Sequence, residues 1–239
     1  RYLFNRGAAL LWARRMLDAG SPDEERRRFV LVAALKAWLA WGDALLLLAG
    51  RYTLRYGARE AALAGIGVPA GLEFVAPAYA AGLAFKLRPD FTRFAGADLP
   101  ALLERTIRRH ELVWRHVETV RDTAAGEGPA FWQAFADAPA PLLRPAGRLP
   151  LSRRLNNLAL NLLRARARSL AGLGEHPEER LVRALPALLF GAAAPAAEAD
   201  RFIAIWHPGQ PVIPRSAEES QCPPARHGED IEIPRRTSE

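Results

Sequence analysis

Residues 29–50 read FVLVAALKAWLAWGDALLLLAG, and within them only Lys36 and Asp43 carry charge. The run is too long and too continuously apolar for a strand, it lacks strand alternation, and Gly50 supplies a helix stop. Just upstream, Ser21-Pro22-Asp23-Glu24 combines a serine N-cap, proline at the first helical position and acids in the first turn. The stretch therefore predicts one long helix ending near Ala49. Its length would also cross a bilayer, for which about 20 apolar residues suffice. Arg26, Arg27 and Arg28 flank one end and Arg51 the other. Lys36 and Asp43 count against insertion, because each costs about 2.5–3.5 kcal/mol near the bilayer centre. A central core helix, with no membrane partner, is the expectation.

Outward from this helix the same period recurs. Tyr2 to Asp18 reads as a helix with Leu3, Leu10, Leu11 and Leu17 broadly on one side, ended by Gly20. Shorter helices are expected from Ala58 to Ala64 and from Leu72 to Leu87, the latter bent or restarted at Pro77. Asp98-Leu99-Pro100 opens a long helix to about Thr123, with Leu103, Ile107, His110, Trp114 and Val117 as its inner stripe. Phe131 to Asp137 adds a turn or two. Pro139, Pro141, Pro145 and Pro150 then mark a connection. Ser152 caps a helix to about Leu170, followed by helices over Glu178 to Phe190 and Glu198 to Trp206. Pro211-Val212-Ile213 and Ile231-Glu232-Ile233 are too short to build a sheet. The class is all-α: a main helical bundle over 1–138, further helices over 151–206 packed on it, and a proline-rich, extended or disordered tail over 207–239.

Half of the 239 residues are apolar, enough for a sizeable core. The net charge is +7 and the pI about 10.4, which points to an anionic partner, a small molecule or RNA. Lys36 and Lys86 are the only lysines among 33 basic residues. The joint excess of arginine and alanine is what a GC-rich genome produces, so the charge does not single out nucleic acid. The single cysteine, Cys222, excludes an internal disulfide, and with His227 it makes no zinc site. A reducing, cytoplasmic setting fits. The chain opens on Arg1 directly in a helical pattern, which predicts a segment of a longer protein.

Three constellations carry chemistry. Lys36 and Asp43 lie seven residues apart, so both emerge on one helix face about 10 Å apart along the axis, too far to pair well directly. Either both face solvent or join an inter-helix salt bridge, or a polar slot lies between them. Arg51-Tyr52-Thr53-Leu54-Arg55-Tyr56 interleaves two arginines with two tyrosines, suited to gripping a phosphate and stacking on a ring, or simply to stapling a helix end. Arg105 with His110 and Arg109 with His116 fit the loose arginine–histidine spacing of helical RNases of the HEPN type. The plain reading of the same residues is a core histidine and a surface histidine. The sequence has no phosphate loop ending in Gly-Lys-Ser/Thr, and Gly65, Gly67 and Gly71 are misplaced for a dinucleotide fingerprint. It also has no nucleophile elbow, and Asp230-Ile231-Glu232 sits in the tail without a scaffold.

Asn5-Arg6, then Lys36 with Gly42-Asp43-Ala44-Leu45-Leu46, then Gly50-Arg51-Tyr52, Tyr56 and Arg59 resemble a segment of bacterial nucleotidyltransferase-like proteins. In these a small catalytic domain of the DNA polymerase β type precedes a helical region. The resemblance covers about the first quarter of the chain. It implies a non-catalytic, acceptor- or substrate-binding helical part, with Lys36, Asp43, Arg51, Tyr52, Arg55 and Tyr56 along a cleft. Magnesium and a nucleoside triphosphate would be handled by a catalytic domain upstream in the same polypeptide. The Gly-Ser turn and Asp-x-Asp pair of that catalytic domain do not occur here. An all-helical scaffold or adaptor for a protein or RNA partner is the alternative, and a HEPN-like RNase the third reading.

Overall fold

The computed structural model describes residues 2–20, 22–121, 128–137, 177–191 and 195–207. These form α1 (Tyr2–Asp18), α2 (Glu24–Leu48), α3 (Tyr56–Ala64), α4 (Val75–Leu87), α5 (Leu99–Val120), α6 (Gly128–Asp137), α7 (Pro177–Phe190) and α8 (Ala196–Trp206), with a short 3-10 turn at Thr92–Phe94. There is no strand among the described residues, so the chain is all-α there. The expected proline-rich connection, the helix from Ser152 to Leu170 and the tail from 208 onward lie outside the described residues.

The 29–50 stretch forms the middle of the bundle. α2 packs against α1, α3, α4 and α5, and it is buried around most of its circumference, from Val30 and Leu31 through Trp41 to Leu45 and Leu46. A helix apolar all round must be covered all round, which is what α2 achieves. Among the described residues it is the one helix long and apolar enough to cross a membrane, and 78% of its most apolar window is buried inside the protein. Its cap differs from the expected Ser21. The carboxylate of Asp23 accepts from the backbone N–H of Arg26 at 2.8 Å, so the helix starts at Glu24 and Pro22 precedes it. Its end is a Schellman turn: Gly50 has φ +64°, the Arg51 N–H donates to Leu46 O at 2.8 Å, and the Gly50 N–H to Leu47 O at 3.2 Å.

α5 supplies the second large apolar face. Asp98 caps it by accepting from the Ala101 N–H at 3.1 Å, and Leu103, Ile107, His110, Trp114 and Val117 are all buried. α4 starts at Val75 rather than Leu72, which puts Pro77 in the first turn. A backbone N–H in the first turn has no helical acceptor, so proline's lack of one costs no bond there and the expected bend is unnecessary. α7 and α8 both pack on α1, and α7 also meets α5 and α6.

Candidate functional site

Near the C-terminal end of α2, Gly42 and Asp43 set the chemistry. A β-carbon at Gly42 would lie 2.3 Å from the ring of Tyr79 on α4, so only glycine lets that ring rest on the helix. The ring's position brings its hydroxyl to Asp43, to which it donates at 3.1 Å. From α3, Arg59 donates through Nη1 to both Asp43 oxygens, at 3.2 and 3.3 Å. The same guanidinium donates through Nε to Thr53 O and through Nη2 to Leu54 O at 3.3 Å, tying the α2–α3 loop to the pair. Tyr52 and Tyr56 stack on it, their ring centres 4.2 and 4.4 Å from its central carbon. Asp43 and Arg59 are 6% and 4% exposed, so this is a buried ion pair in which every side-chain nitrogen and oxygen has a hydrogen-bond partner.

Burial pushes the Asp43 carboxyl above its ordinary range, against the pull of Arg59, the Tyr79 hydrogen bond and Lys86. Burial and the adjacent carboxylate hold the Tyr79 hydroxyl protonated far above its usual value. Burial, the Tyr2 side chain and Asp43 likewise push Tyr52 up. Both tyrosines are therefore neutral hydrogen-bonding groups at any physiological pH.

This cluster floors a cavity of about 250 Å³ between the start of α1, the middle of α2, the second half of α4 and the α2–α3 loop. Its walls are apolar at Val32, Leu35, Leu39 and Phe85. Arg6, Lys36 and Lys86 also line it, and none of the three has an ion-pair partner among the described residues. Lys86 lies 4.5 Å above the ring of Tyr56. A larger cavity of about 510 Å³ runs between α1, α5, α7 and α8. Most of its charges are paired: Arg14 with Glu104 at 3.1 Å and Arg15 with Asp18 at 3.3 Å within the lining, and Arg15 with Asp200 at 2.9 Å and Glu111 with Arg115 at 2.7 Å beyond it. That makes it a seam between helices, and the smaller cavity is the better candidate site.

Four of the six residues expected at a cleft, Lys36, Asp43, Tyr52 and Tyr56, line this one cavity. Arg51 and Arg55 are exposed and do not line it. The group between Lys36 and Asp43 that sequence spacing left unnamed is in part Arg59, which pairs with the aspartate. Sequence reasoning missed Tyr79 and Lys86 altogether. The one available signal was Gly42 itself, a glycine inside a helical run that marks a close approach without naming the partner.

His110 is fully buried. Its Nδ1 accepts from Trp41 Nε1 at 2.9 Å and its Nε2 faces Leu3 O at 3.0 Å, which fixes the neutral tautomer protonated on Nε2. Burial lowers its pKa to about 4. Arg109 stacks on Phe74 at 4.8 Å, and His116 is half-buried with its pKa lowered by burial. Cys222 and His227 lie outside the described residues.

No group of three or more His, Cys, Asp or Glu able to hold a metal occurs among the described residues. Asp43, the one carboxylate lining the favoured cavity, has both oxygens engaged by Arg59 and one also by Tyr79. These residues do not fit a magnesium site. Comparison with family models, with characterised proteins and with solved structures gives no match to this chain.

Proposed function

We propose that this chain is a helical ligand-binding part whose α1–α2–α4 cavity takes a small anionic molecule. Following the resemblance, that molecule is the acceptor of a nucleotidyltransferase-like polypeptide. The observation that carries the reading is the shared cavity of Lys36, Arg6 and Lys86. These three cations lack ion-pair partners among the described residues and sit beside two tyrosine rings and the Asp43–Arg59 pair. Lysine side chains that line a concave surface without a counter-charge raise the local concentration of anions. The nucleotidyl-transfer chemistry, with its magnesium and nucleoside triphosphate, would belong to a catalytic domain of the same polypeptide, and a cytoplasmic setting goes with such substrates. In a polypeptide that carries both parts, Lys36→Ala should raise the KM for acceptor at least tenfold while leaving the KM for nucleoside triphosphate alone. Unchanged acceptor KM would remove the cavity from the reaction and leave the scaffold or adaptor reading in its place.

A further inference from the structure

Resting on the reading of this cavity as a ligand site, we infer that its ligand is a small phosphomonoester, one phosphate on a compact, partly apolar body. Asp43 and Arg59 neutralise each other at the floor, and their hydrogen bonds run to each other, Tyr79 and the carbonyls of Thr53 and Leu54. Arg6, Lys36 and Lys86 remain, three positive charges around one space. A single carboxylate brings one charge and two acceptor oxygens and would leave most of that potential unmet. A phosphate monoester brings up to two charges and three terminal oxygens, able to accept from several separate donors at once. Lysine serves such groups as a mobile point charge and arginine as a fork, and the cavity offers both.

Size and wall chemistry narrow the body that carries the phosphate. About 250 Å³ lies below the range usual for drug-sized ligands, which begins near 300 Å³. A whole nucleoside triphosphate would extend outside this space, whereas a phosphomonoester with one small ring is of its size. Beside Lys36 on α2 and Lys86 on α4, Val32, Leu35, Leu39 and Phe85 give the cavity an apolar lining. Gly82 holds α4 close enough to α2 that a β-carbon there would sit 3.0 Å from Leu35 O, which keeps this end of the cavity narrow. The lining thus offers three cations to a phosphate and apolar side chains of α2 and α4 to a carbon skeleton.

Phenyl phosphate, inorganic phosphate, benzoate and uncharged thymidine, at matched ionic strength, are the probes. Binding to the full 239-residue chain is read by thermal shift and by ³¹P line broadening. Lys36 and Lys86 are exposed, so K36Q/K86Q should melt like the parent without ligand. The expected result is binding of phenyl phosphate tighter than inorganic phosphate and benzoate, weakened at least tenfold in K36Q/K86Q. It should be unchanged in R108Q, which alters the other cavity. Equal binding of phenyl phosphate to K36Q/K86Q, or benzoate binding as tightly as phenyl phosphate, would overturn the inference. Thymidine binding that K36Q/K86Q leaves intact and Tyr52→Ala removes would overturn the phosphate assignment and keep the cavity as a ligand site. Binding of none of the probes, together with an acceptor KM that Lys36→Ala does not move, would sink both.

Discussion

The ring of Tyr79 lies on the bare backbone of Gly42, in the space a β-carbon would need. The contact places the Tyr79 hydroxyl 3.1 Å from Asp43 and lets α4 pack along α2. Gly42→Ala should therefore destabilise the chain by about 1–3 kcal/mol, the usual cost of overpacking, in spite of alanine's better helix propensity. The comparison is Gly57→Ala in α3, where an added β-carbon meets nothing within 4 Å. There the propensity gain is unopposed, so stability should rise by up to about 1 kcal/mol. Urea midpoints of the two variants decide it. A neutral or stabilised Gly42→Ala would mean that the ring moves aside freely.

Arg59 holds more than its aspartate, because it also closes the α2–α3 loop through Thr53 O and Leu54 O. Removing one member of a buried pair strands the other, at a cost of about 3–5 kcal/mol. Arg59→Met should reach the top of that range, since it orphans two carbonyls as well as Asp43. Asp43→Asn keeps the shape and an acceptor and should cost less. The double variant should be more stable than the sum of the single effects implies, which a double-mutant cycle in urea would measure directly. Additive effects would show that the two residues do not act as a pair.

Helices and pairings differ in how far local sequence specifies them. α1, α2, α5, α7 and α8 follow from apolar spacing and stop signals, because helix formation is decided within one or two turns. Asp43 stood out for the same local reason, a charge in an apolar run. Its partners did not, since Arg59 is 16 residues away and Tyr79 is 36, and no periodicity links them. Lys86 comes to the cavity only because α4 folds back along α2. His110 was legible as a stripe position, but its tautomer and burial depend on Trp41, 69 residues away.

Helix capping gives a sharper check on a boundary that sequence placed two residues early. Asp23 accepts from the Arg26 N–H and Asp98 from the Ala101 N–H, each leaving the helix with one fewer orphan donor. Asp23→Ala and Asp98→Ala should each cost about 1 kcal/mol, and Asp→Asn at either site much less. Chemical denaturation of the four variants tests this. An Asp23→Ala variant as stable as the parent would relocate the cap of α2.

His110 gives the bundle a pH dependence of definite sign. In the folded chain its pKa is lowered from 6.5 to about 4, because burial disfavours the charged ring more than the contact with Leu3 O favours it. Between those values the unfolded chain binds a proton that the folded chain does not. The stabilising contribution is thus fully present above pH 6.5 and is lost progressively as pH falls toward 4. A shift of that size corresponds to about 3 kcal/mol at 1.36 kcal/mol per unit. Urea unfolding of the parent should weaken by about that amount between pH 7 and pH 4. His110→Gln, which keeps polar atoms near Trp41 Nε1 and Leu3 O, should start less stable and show a slope shallower by one histidine's share. An identical slope in parent and variant would show that the acid sensitivity comes from other groups.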